Sequence, residues 1–147
     1  MTDASAAADS RGAFSFGQDF PTADPTVVSE AAVHTLHVHA SPNNTILTLT
    51  DHAGRVLINC SGGTAGFRKA QRSGPEAAYQ ATQQLVTRVS ERGLNVTSLH
   101  LKLNGFGPGR ESVFRAIRVV SDWDITRISD ATPVAFNGCR PRKARRL

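Results

Sequence analysis

Two cysteines, Cys60 and Cys139, are all the chain has, and they stand far apart. No CxxC pair and no secretory signal accompanies them. That argues against a disulfide framework or a closed zinc site, and for a reducing compartment. No stretch approaches the roughly 18 consecutive apolar residues of a membrane span, so a membrane is not an expected partner. Also missing are GxxxxGK[ST], GxSxG and any internal repeat, and with them the usual signs of a nucleotide pocket or a serine nucleophile. What remains is a chain of 147 residues with 39% hydrophobic content. This fits one domain able to bury about two-thirds of its unfolded surface.

Basic residues are scarce in the first part of the chain and abundant in the second. Residues 1–60 hold two basic groups, Arg11 and Arg55, against six acids, whereas residues 61–147 hold fifteen against six. The net charge of +5 is therefore the sum of about −4 and +9. Such asymmetry points to a polyanionic partner met by the second part. An anionic membrane surface would call for an amphipathic basic helix; nucleic acid suits a structured basic face plus a tail.

Residues 1–30 are rich in Ala, Ser, Asp and Gly, contain Pro21 and Pro25, and show no apolar periodicity. They read as a mostly disordered extension. They are too acidic and too poor in arginine for an intact mitochondrial transit peptide, though a cleaved remnant or a lineage-specific addition fits. From Val33 the pattern is strand: Leu36, Val38 and Ala40 alternate with Thr35, His37 and His39. Ser41-Pro42-Asn43-Asn44 is turn chemistry, residues 45–50 alternate again, and Asp51-His52-Ala53-Gly54 turns the chain into a third strand over 55–61. After a glycine-containing basic loop, SGGTAGFRKAQRS, a helix begins at Ser73 or Gly74 with Pro75 in its first turn. Ala77, Ala78, Ala81, Leu85 and Val89 line one face, and Gly93 stops it. Residues 97–103 alternate as a fourth strand. A second helix to about Ser121 is expected to bury Val113, Phe114 and Ile117 and to turn Arg110, Arg115 and Arg118 outward. A last strand over 125–129 leads into a tail.

This order predicts a mixed α/β sheet, an antiparallel meander followed by two βαβ crossovers, with helices covering it. The expected divisions are an extension at 1–30, an α/β domain at 31–131 and an extended basic tail at 132–147.

Three regions carry candidate chemistry. The ending RPRKARRL sets Arg140, Arg142, Lys143, Arg145 and Arg146 close together with no acid among them. Arginine forks can contact phosphates bidentately, and each phosphate neutralised releases counterions. A solvated charge run or a localisation signal is the plain alternative. Two glycine-bearing loops end in basic residues: GGTAGFRKAQR, with Arg68, Lys69 and Arg72, and GFGPGR, with Arg110. Both open onto helix N-termini, where backbone N–H groups and the dipole favour anions. The alternative for GFGPGR is an ordinary tight strand-to-helix connection.

His37 and His39 share a strand face but have no Cys or carboxylate at ligand spacing, so they read as exposed strand histidines. Asp51, Asp122, Asp124 and Asp130 each have a turn or connection to explain them. Catalysis, a metal and a cofactor are therefore not expected. Asn137-Gly138 reads as a tight turn in which the unhindered glycine amide could attack the Asn side chain, giving isoaspartate.

Four motifs occur in one order: HASPNNTILTLTD from His39, GFRKAQRSGPEAAYQA from Gly66, GFGPGRES from Gly105 and ISDATPVAFNGCRPRKARRL from Ile128. In this order the chain resembles the universal small-subunit ribosomal protein eleven family, over about residues 33–147. The resemblance implies a ribonuclease-H-like α/β fold without nuclease activity. It also implies a place on the platform of the small subunit, bound to small-subunit rRNA near the messenger RNA exit, with other platform proteins as neighbours. By motif, the groups facing RNA would be Ser41, Asn43 and Asn44; Gly66, Arg68, Lys69 and Arg72; Gly107, Gly109 and Arg110; and Asn137, Gly138, Arg140, Arg142, Lys143, Arg145 and Arg146. The chain departs from the family in Pro42, in Phe106 where a proline is usual, and in an ending without a second proline after RP. The ending resembles mitochondrial members. With the extension, it makes a mitochondrial ribosome the expected setting and bacterial cytoplasm the alternative.

Overall fold

The computed structural model describes residues 33–144, so the expected extension at 1–30 and the end of the tail lie outside the described residues. Five strands and two long helices follow the expected order. They are β1 (His34–Ala40), β2 (Thr45–Thr50), β3 (Val56–Ser61), α1 (Pro75–Glu91), β4 (Ser98–Asn104), α2 (Gly109–Val120) and β5 (Asp124–Asp130). A short 3-10 turn, Lys69–Ser73, lies within the basic loop. The alternation in the strands matches their burial: Leu36, Val38 and Ala40 of β1 are buried while His37 and His39 are exposed.

The sheet order is β3-β2-β1-β4-β5. β1, β2 and β3 form the antiparallel meander; β4 joins β1 in parallel, and β5 joins β4 in parallel. The registers Leu36↔Leu49, Leu36↔Leu101 and Val38↔Leu47 place these leucines in rows on one face. Both helices pack on that face, α1 against β2 and β3, α2 against β1, and the two helices pack against each other. The core they enclose contains Leu36, Leu47, Leu49, Leu85, Leu99, Leu101 and Ile117, each at most 1% exposed. Burying one such side chain is worth about 1.5–3 kcal/mol, so the leucine rows are the main source of sheet-to-helix cohesion.

Helix α1 starts at Gly74 rather than Ser73, with Pro75 at its first position and no side-chain cap. The Ser73 hydroxyl instead donates to Ala70 O. At the other end Gly93 takes φ +63, Gly93 N donates to Ser90 O, and Leu94 N reaches back to Val89 O. This is a Schellman stop, and Leu94 packs on the core as such a stop favours. The arginines of the last turns have a further use. Arg88 donates to Asn59 O and Arg92 to Leu57 O, so both cover carbonyls of β3, the edge strand. Long cationic side chains along an edge are a known guard against unwanted strand pairing.

Helix α2 is rotated slightly from expectation. Gly109, Val113, Ala116 and Ile117 are its buried residues, and Phe114 is half-buried at the margin. The rotation follows from Gly109. A Cβ there would lie 2.0 Å from Thr45 Oγ1 and 2.8 Å from Ala78 Cβ, so the helix start sits where α1 and β2 converge.

Candidate nucleic-acid interface

The topology gathers the expected contact regions at one end of the sheet. β1, β4 and β5 are parallel and end there; β2 begins there and β3, antiparallel to β2, ends there. The turn 41–44, the basic loop 62–74, the loop 105–108 and the start of the tail therefore emerge side by side. Loops at the carboxyl ends of parallel strands are where α/β sheets place their ligands.

The turn and the basic loop touch. Ser41 N and Oγ both donate to Asn44 O, Asn44 N donates to Ser41 Oγ, and Gly62 N donates to Thr45 O at 3.2 Å. Thus Ser41 and the Asn44 backbone hold the turn shut, leaving Asn43 exposed. Asn43, Lys69, Ala70, Arg72 and Ser73 line a concavity of about 400 Å³. Arg68, Lys69 and Arg72 are exposed, and none forms an ion pair among the described residues. Lys69 is held at φ +51, a costly conformation for a side chain with a Cβ and one that recurs at binding sites. Gly66, at φ +96, is exposed in the same loop.

The GFGPGR loop differs from the expected anion seat. Gly105 N donates to Thr132 Oγ1, Gly107 N to Ala40 O and Arg110 N to Gly107 O. A Cβ on Gly105 would lie 2.3 Å from Ala40 O, and one on Gly107 would lie 2.3 Å from Ser41 O. Gly107 and Gly109 are buried. The glycines thus let this loop fit under the β1–β2 turn, and the N–H groups of Gly105 and Gly107 are spent inside the chain. The tight strand-to-helix connection is the primary role of this loop.

Arg110 is likewise turned inward rather than outward. Its guanidinium donates to Gly105 O at 2.8 Å and to Asp130 Oδ2 at 3.1 Å, and it stacks 5.0 Å from the Phe106 ring centroid. The loop surface left to solvent is Phe106, 78% exposed, and Pro108. Beside them is a largely apolar hollow of about 410 Å³ that also touches Leu103 and Phe114.

What this loop organises is the root of the tail. Ala131 N donates to Leu103 O, while Asp130 Oδ1 accepts from both the N–H and the hydroxyl of Thr132. Those two bonds, then Arg110, hold the Asp130 carboxyl down at about 2. Reading the sequence for charge missed Asp130 and Thr132 as anchors, although an Asp followed two residues later by Thr is a recognisable side-chain-closed turn. Beyond Thr132, residues 133–144 carry no helix or strand and are exposed. Asn137 there takes φ +84 and precedes Gly138; Arg140, Arg142 and Lys143 follow. Arg145 and Arg146 lie outside the described residues.

The face of the sheet opposite the helices also proved basic. Pairing β1 with β4 brings His37 opposite Lys102 and Thr35 opposite His100, and β5 adds Arg127 opposite His100. His100 Nε2 lies 2.9 Å from Ser129 Oγ. Burial, then Lys102, pushes the His37 pKa below its ordinary value; burial, then Arg127, Lys102 and His37, does the same for His100. The sequence shows each alternation but not which strands pair, so this cluster was not visible from it.

Among the described residues no three His, Cys, Asp or Glu groups come together as a metal site. Asp51 and Asp124 adjoin one end of the sheet and Asp130 the other. Nor is any helix of the described residues long and apolar enough to cross a membrane. Cation-bearing loops and the root of the tail thus share one end of a single sheet.

Comparison with known proteins identifies the family. A family model described as "Ribosomal protein S11" matches residues 34–146, and the chain belongs to this family. It is thereby a ribosomal structural component and not an enzyme. Among its relatives is the small ribosomal subunit protein uS11 of Idiomarina loihiensis, 47% identical over 111 residues, covering 76% of this chain and 84% of that protein. That of Chromobacterium violaceum is 47% identical over 120 residues, covering 82% and 87%. The corresponding protein of Buchnera aphidicola subsp. Cinara cedri is 45% identical over 111 residues, covering 76% and 83%.

Proposed function

We propose that this chain is a structural constituent of the small ribosomal subunit that binds small-subunit rRNA through the loop end of its sheet and through its tail. The observation that carries the reading is the convergence of turn 41–44, the Arg68–Lys69–Arg72 loop and the tail root at one end. Phosphate contacts from lysine, arginine and exposed amides position a protein on RNA without any reaction. The family resemblance supports a platform position, near the messenger RNA exit and beside other platform proteins. The three relatives above are all bacterial, which favours a ribosome of the bacterial cytoplasm over the mitochondrial setting that the tail ending suggested.

Sucrose-gradient fractionation of cells expressing the tagged full chain tests this reading. The protein should co-sediment with small subunits and crosslink to their rRNA. Its recovery only in the soluble top fractions would overturn the proposal.

A further inference from the structure

The helices cover one side of the sheet, while the other side presents His37, His39, His100, Lys102 and Arg127 across three adjacent strands. We propose that this open sheet face is a second rRNA-binding surface, gripping the phosphate backbone independently of the loops and tail. The inference rests on the ribosomal reading above and extends it to a face that neither the motifs nor the charge count singled out.

Three observations carry it. The loop-proximal part of the face is of one sign: the face's one carboxylate among the paired residues, Asp124, stands opposite Ser98 at the end away from the loops. It also lacks the apolar centre that a protein partner would use, because no exposed large apolar side chain belongs to β1 or β4, and the exposed Ile128 of β5 pairs with Leu101 on the helix side. Finally, it is continuous with the loop end, since His39 pairs with Asn104 one residue before the 105–108 loop. Cations flanked by hydroxyls and ring N–H groups match what phosphate oxygens accept.

The histidines give this face a signature that the tail lacks. From β1 come His37 and His39, from β4 His100 and Lys102, and from β5 Arg127; β2 contributes no titratable group opposite them. In the free chain burial, and after it the neighbouring cations, hold His37 and His100 below their ordinary pKa. A bound phosphate reverses that, raising the folded-state pKa so that the ring takes up a proton on binding. RNA affinity then rises as pH falls, by up to about one decade per pH unit for each proton taken up.

The test is binding of the full chain to a full-length small-subunit rRNA transcript, titrated with salt at pH 6 and pH 8. The double variant Lys102→Gln/Arg127→Gln should lower the log–log salt slope by about 1.4–1.8, two contacts' worth. The charge-preserving Lys102→Arg/Arg127→Lys should restore it, separating charge from folding. His37→Gln/His39→Gln should shrink the gain in affinity between pH 8 and pH 6. If the slope and pH response are unchanged while removal of Arg140–Leu147 still flattens the slope, the face inference is wrong and the ribosomal reading stands. If these variants lose only a ribosomal protein from reconstituted subunits, the face binds protein and the inference is likewise overturned. If the wild-type chain ignores the transcript, the ribosomal reading itself fails.

Discussion

Replacing Gly109 by alanine separates the two roles that sequence and structure give this residue. The added Cβ would lie 2.0 Å from Thr45 Oγ1, 2.8 Å from Ala78 Cβ and 3.1 Å from Thr45 Cβ. Thr45 and Ala78 are 1% and 0% exposed, so neither can swing away into solvent. Overpacking of this kind costs about 1–3 kcal/mol, and here two elements must separate, which places the cost near the upper end. Alanine returns at most about 1 kcal/mol of helix propensity, less in a first turn. The net expectation is a loss of about 2 kcal/mol, and a melting temperature lower by about 10 °C. Urea unfolding followed by circular dichroism measures it. Thr45→Ala removes the nearest clashing atom, whose hydroxyl has no hydrogen-bond partner to lose, so the double variant should be less destabilised than the two singles summed. A Gly109→Ala protein that melts with the wild type but binds RNA less tightly would refute the packing argument and return Gly109 to the RNA contacts.

Other outcomes follow from the same geometry. Removing Arg140–Leu147 should weaken rRNA binding and flatten its salt dependence by roughly 0.7–0.9 per lost phosphate contact; an unchanged slope would exclude the tail. Thr132→Val should raise the Asp130 carboxyl from about 2 toward its ordinary value, as read by NMR titration, because it removes the hydroxyl bond that leads the shift. Since the folded pKa is depressed, the stabilisation from Asp130 is present above the unfolded value of about 3.9 and fades as pH falls through about 2. Arg110→Ala should loosen the tail root and lower thermal stability, since the side chain bridges Gly105, Phe106 and Asp130. If it weakens RNA binding alone, the side chain opens outward in solution. Mass spectrometry of aged protein should show partial conversion at Asn137, and a fully intact residue would exclude that chemistry.

Period-two alternation made β1, β2 and β4 legible in the sequence, because each buries one row of side chains in the core and leaves the other row open. By contrast β5, with no buried residue, was legible only as the short segment before the tail. Gly74-Pro75 and Gly93 marked α1 for equally local reasons. The candidate site was legible only as separate pieces. Charge located Arg68, Lys69 and Arg72, but their proximity to Asn43 depends on β2 pairing with both neighbours, a non-local fact. The glycines of GFGPGR look the same in sequence whether they admit a phosphate or a neighbouring strand, and only the distances to Ala40 O and Ser41 O decide. Arg110 was misplaced because a helix-periodic pattern does not reveal a side chain that turns back on its own loop. The histidine face needed the β1–β4 register, which no local pattern encodes.

The arginines that cover β3 give the sheet a direction. With Leu57 O and Asn59 O engaged by Arg92 and Arg88, a visiting strand must displace two guanidinium groups to use those acceptors. β5 is the other border, and it carries no such cover among the described residues. A partner that extends this sheet by one strand therefore meets less obstruction at β5, next to the root of the tail. The same obstruction applies to a second copy of the chain, and two copies joined β5 to β5 would each present a guarded β3 outward. Growth past such a pair would have to displace the arginines, so the guard on one side limits what the open side can do.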